Sequence, residues 1–68
     1  MTSESADAET QLRTLVHALR TPLTIVEGFS DALATRADQM SAEDRAEYVD
    51  RIHEAAQEMR DLLDGVRR

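Results

Sequence analysis

Two histidines, His17 and His53, are the side chains of this chain best suited to nucleophilic or proton-transfer chemistry, because a neutral imidazole is a competent nucleophile near neutral pH. If the surrounding residues are helical, His17 has Arg13, Thr14, Arg20 and Thr21 one turn away, on a polar strip that continues through Thr24 and Asp31. An imidazole among cations and hydroxyls can receive an anionic group. The same arrangement also describes an ordinary solvated helix surface, and the spacing alone does not separate the two readings. His53 lies beside Val49, Ala56 and Gln57, with no carboxylates at metal-ligand spacing, and reads as structural. Glu47, Asp50, Glu54, Glu58, Asp61 and Asp64 read as a solvated face rather than as a paired-acid site. With no cysteine and no glycine-rich phosphate loop, the chain offers neither a thiol nor a nucleotide cradle of its own.

The elements that must position His17 follow from the apolar spacing. Leu12, Val16, Leu19, Leu23, Val26 and Leu33 recur in steps of four and three, interrupted at Ser30, and Leu15, Pro22, Ile25 and Phe29 widen the stripe. The pattern predicts a first helix over about residues 5–36, with His17 pointing roughly 180° from the apolar centre. Residues 37–41 break the pattern. Ser41 followed by Glu43 and Asp44 then reads as an N-cap with an acidic first turn. Tyr48, Ile52, Ala55, Met59, Leu62 and Val66, with Val49, Ala56 and Leu63 beside them, predict a second helix over about residues 42–66. Glu9 with Arg13, and Glu47 with Arg51, have favourable ion-pair spacing. Pro22 sits inside the first helix, where proline removes a hydrogen bond at a cost of about 3 kcal/mol. It either bends the helix around its partner or loosens the turn after His17 and frees the Ala18 carbonyl.

The predicted fold class is therefore all-α: one domain over residues 1–68, an antiparallel helical hairpin that homodimerises into a four-helix bundle. A chain of 68 residues encloses too little core to be comfortably stable alone, and with no cysteine available oligomerisation is the remaining staple. A net charge of -6 and the absence of lysine argue against a nucleic-acid partner. The apolar runs are too short to span a bilayer, and the polar start from Thr2 to Glu9 is unlike a signal peptide, so no direct membrane contact is expected.

The run Leu15-Val16-His17-Ala18-Leu19-Arg20-Thr21-Pro22-Leu23-Thr24 strongly resembles the H-box of sensor histidine kinases, the phosphoacceptor signature of their dimerisation domain. Gly28-Phe29 and Leu33 look like the continuation of that motif, and the resemblance extends over the whole hairpin. It implies that His17 accepts the γ-phosphoryl group of ATP, delivered by a separate domain that holds ATP and magnesium. It further implies that His17 passes the group to an aspartate of a response-regulator receiver domain.

Within the resemblance, Arg20 would neutralise the transferred phosphoryl group or serve a structural, steering role. Thr21 matches the position associated with orienting the water that hydrolyses phospho-aspartate, its plainer role being a helix-surface hydroxyl bonded to its own turn. The chain itself would hold no cofactor and no metal. Its partners would be a second copy, the ATP-binding domain and the receiver, and its place the cytoplasm, as part of a kinase that is commonly membrane-anchored. One residue departs from the pattern: Ala18 stands where the family usually carries Glu or Asp as general base. The rival reading is a dimerisation scaffold that has lost autophosphorylation, or a relay protein loaded only by a phosphorylated regulator.

Overall fold

The computed structural model describes the backbone of residues 3–66 and the side chains of residues 7–65. Helix α1 runs over Ser3–Arg36, a single 3-10 turn follows at Ala37–Gln39, and helix α2 runs over Ala42–Val66. Helix α1 thus begins two residues before the predicted start and is unbroken through Pro22. The two helices pack side by side as a hairpin, and no strand occurs among the described residues.

The reversal between the helices has its own chemistry. Met40 turns to an extended conformation (φ -101°, ψ 147°), and its amide donates to the Ala37 carbonyl at 3.1 Å. The Ser41 hydroxyl then accepts from the Asp44 amide at 3.0 Å, the predicted N-cap, with Glu43 and Asp44 in the first turn of α2. From the same turn the Arg45 guanidinium reaches back to the carbonyls of Ala37 (3.0 Å) and Met40 (3.2 Å). A cation at the start of a helix opposes the dipole. Here it adds a second donor to the Ala37 carbonyl, which already accepts from the Met40 amide, and also reaches the Met40 carbonyl beyond the helical turn.

Phe29 and Tyr48 fix the register of the hairpin, meeting edge to face with ring centroids 4.7 Å apart. At 1.5 Å rise per residue on both helices, that pairing sets Pro22 level with Ala55. Pro22 is fully buried, and Ala55 and Ala32 are the other buried apolar residues among those described. Small side chains at the seam let the two helices approach closely. Around them Leu15, Leu19, Val26 and Leu33 of α1 and Ile52, Met59 and Leu62 of α2 are half-buried.

On α2 the predicted stripe is the one that faces α1, with Val66 outside the described side chains. On α1 the predicted stripe is displaced. Leu12, Val16 and Leu23 stay exposed, Leu19, Val26 and Leu33 are half-buried, and Leu15, Pro22 and Phe29, which had read as the margin, share the contact with α2, whereas the fourth margin residue, Ile25, stays exposed. Val49 and Leu63 are likewise half open on α2, at 54% and 50% exposure. The hairpin is long and thin, 56 × 19 × 11 Å. Among the described residues no helix is long and apolar enough to cross a membrane.

Candidate functional site

His17 is exposed in the middle of α1. Taking its direction as zero and advancing 100° per residue, the residues that touch α2 centre near 130° and the open apolar residues Leu12, Val16 and Leu23 near 235°. Helix α1 therefore has three faces about 120° apart: one against α2, one apolar and uncovered, and one polar that carries His17. This refines the simple two-faced picture, in which His17 opposed a single apolar centre. A second body covering the open apolar face would leave the imidazole in water.

The polar face is chemically distinct from the rest of the chain. Between Glu9 and Glu27 there is no carboxylate, and the only formal charges there are those of Arg13 and Arg20. Both arginines are exposed, and neither enters an ion pair among the described residues; the Glu9–Arg13 pair that the spacing suggested does not form. Arg51, by contrast, is shared between Glu47 and Glu54 at 3.9 Å each, and Arg45 is occupied at the turn. A cationic island thus surrounds His17 on a chain whose net charge is -6. The signal was available as a charge count along the sequence, and Arg13, noted there only as a neighbour, belongs to the site with Arg20.

Helix geometry sets the relative positions. Arg13 and Arg20 lie about 40° and 60° to the same side of His17, roughly 6 Å above and 4.5 Å below it along the axis. Thr21 lies about 40° to the other side and is exposed, so all four side chains share one face. Ala18 is half-buried toward α2, and no carboxylate stands beside the imidazole on α1. Pro22 closes the segment: it has no N–H to offer the Ala18 carbonyl, so the helix is weakened one turn beyond His17 while the proline ring is held in the seam.

The residues 7–68 match the His Kinase A (phospho-acceptor) domain. The chain belongs to this family. A relative, the histidine protein kinase DivJ of Caulobacter vibrioides, is 38% identical over 55 residues, which cover 81% of this chain and 9% of DivJ. The chain thus spans less than a tenth of that relative's length. No solved structure matches it.

Within this His Kinase A domain the histidines differ sharply in setting. His53 is exposed on α2, about 160° round from Ala55 and so on the side turned away from α1. Asp50 and Glu54 are its acidic neighbours, where His17 has arginines. Among the described residues no three His, Asp or Glu side chains come together in a way that could hold a metal ion. About three turns from His17 along the same face of α1, a shallow groove of about 240 Å³ opens between Thr24, Gly28, Phe29 and Tyr48.

Proposed function

We propose that His17 is the phosphoacceptor of a two-component sensor kinase and that the hairpin dimerises to present it. The observation that carries the reading is an exposed imidazole on a cationic stretch of helix with no carboxylate between Glu9 and Glu27, within a His Kinase A domain. A ring nitrogen of neutral His17 attacks the γ-phosphorus of ATP held on a separate domain; the N–P bond forms, the P–O bond to the β-phosphate breaks, and ADP leaves with the electron pair. In the second step a receiver aspartate oxygen attacks the same phosphorus, and the imidazole leaves. Magnesium, held with the nucleotide on the other domain, supplies charge neutralisation there. Arg20 supplies it from this chain, and exposed Thr21 orients water during hydrolysis of the phosphorylated receiver. The receiver would sit on the face that runs from His17 toward the groove at Gly28.

Dimerisation is supported by area. The protomer exposes 5696 Å², against about 4,300 Å² for a compact monomer of this mass. Its radius of gyration is 16.5 Å, against about 11 Å for a compact chain of this length. The uncovered Leu12, Val16, Leu23, Val49 and Leu63 are the surface a second hairpin would bury, completing a four-helix bundle.

Ala18 favours a second reading: without the usual acidic neighbour, activation of the imidazole toward ATP is weakened, as in a scaffold or a relay protein. Two donors separate the readings. The chain is incubated with radiolabelled ATP, magnesium and a kinase catalytic domain, and in parallel with a labelled phospho-receiver. Acid-labile label from ATP supports the kinase phosphoacceptor, label from the receiver alone supports the relay, and label from neither supports the scaffold.

A further inference from the structure

We infer that Arg13 is a phosphoryl-binding residue, forming with Arg20 a two-guanidinium clasp around the group carried by His17. This deepens the reading of His17 as phosphoacceptor and rests on it. The helix places the two arginines one turn before and one turn after His17 and on the same side of it. Neither is held by a carboxylate among the described residues, and Glu9, the acid one turn from Arg13, leaves it unpaired. A guanidinium presents several N–H donors in a fixed plane, which suits the oxygens of a phosphoryl dianion. Arg20 alone approaches that group from one end of the imidazole, whereas Arg13 approaches from the other, so together they can hold oxygens on both sides. Because no carboxylate adjoins His17 on α1, the anion meets attraction from both arginines and repulsion from no acidic neighbour on its own helix.

Potassium phosphoramidate tests this without any catalytic domain. A ring nitrogen of histidine attacks phosphorus, the N–P bond forms, the P–NH₂ bond breaks, and ammonia leaves with the electron pair and takes up the proton released by the ring. His53, exposed among carboxylates, is the internal control in the same chain. The expected result is more phosphate on His17 than on His53, and a longer-lived phosphohistidine at His17. Arg13→Gln should shorten that lifetime and lower the His17 to His53 ratio by about fivefold, the scale of an exposed charge pair. Arg13→Lys should restore most of the effect, and helix content by circular dichroism should be the same for all variants. An unchanged ratio and lifetime in Arg13→Gln overturns the clasp, while leaving label from ATP on His17 free to support the phosphoacceptor reading. Conversely, loss of ATP-derived label with the Arg13 effect intact overturns the kinase reading and keeps the anion site.

Discussion

His17 and Pro22 stand five residues apart on the unbroken helix α1, yet about 140° of helical rotation puts the imidazole in water and the proline ring wholly inside the hairpin. The proline that removes a helical hydrogen bond is also a fully buried side chain. Pro22 withholds an N–H from the Ala18 carbonyl, and its ring, level with buried Ala55, keeps the loosened turn docked on α2.

Pro22→Ala should therefore stiffen α1 at a small gain in stability. Restoring a helix-forming residue contributes about 3 kcal/mol. Removing the buried ring methylenes offsets about 1.5 kcal/mol of that. Urea denaturation should show a net stabilisation of about 1–2 kcal/mol, together with slower amide exchange around residues 18–22; a destabilised variant would mean that the ring's packing outweighs the lost hydrogen bond.

The turn should respond to its two caps. Ser41→Ala removes the acceptor of the Asp44 amide and should cost about 1 kcal/mol. Arg45→Met removes two exposed hydrogen bonds to carbonyls and should cost about 0.5–1 kcal/mol. Thermal melts of each variant and of the pair measure both terms, and because the groups share one turn the double variant should depart from additivity.

How far the sequence specifies this structure differs between the two helices. Apolar spacing locates the α1-facing side of α2 correctly, because Tyr48, Ile52, Ala55, Met59 and Leu62 are the residues that pack. The same count on α1 is right for Leu19, Val26 and Leu33, which are half-buried, but it also picks Leu12, Val16 and Leu23, which remain outside. Periodicity records that a position is apolar, not whether its cover is the other helix of the hairpin or another body. Pro22 is counted beside the stripe, but the spacing does not mark it as the most deeply buried side chain of the seam. The outward direction of His17 was legible from the 3.6-residue period alone, whereas the role of Arg45 depends on the closed turn and has no sequence signal. The isolation of Arg13 and Arg20 from carboxylates was present in the order of charges and became meaningful only once the polar face was defined.

The uncovered apolar face gives a prediction about assembly. Leu63→Glu places a carboxylate on a side chain 50% exposed in the protomer, so the hairpin itself loses little. In a symmetric dimer the change enters the interface twice, and dissociation should be strengthened by at least about 100-fold. Sedimentation equilibrium should show the wild type at twice 7.6 kDa and the variant at the single mass. A variant that remains dimeric would place the interface elsewhere.

Ala18 sets a ceiling on reaction with ATP if the imidazole must be polarised by a neighbouring base. General-base assistance contributes about 10²–10⁴ in rate. Ala18→Glu should raise the rate of ATP-dependent labelling by at least about tenfold, measured by initial rates with one catalytic domain. No gain would show that another group already fills the role.

The central claim is that phosphate resides on His17. Its most direct measurement is the site of acid-labile phosphate after incubation with ATP, magnesium and a catalytic domain, compared among wild type, His17→Gln and His53→Gln at equal dimer content. Label should vanish in His17→Gln and persist in His53→Gln. Label that survives the loss of His17, or that never forms on the wild type, would contradict the account.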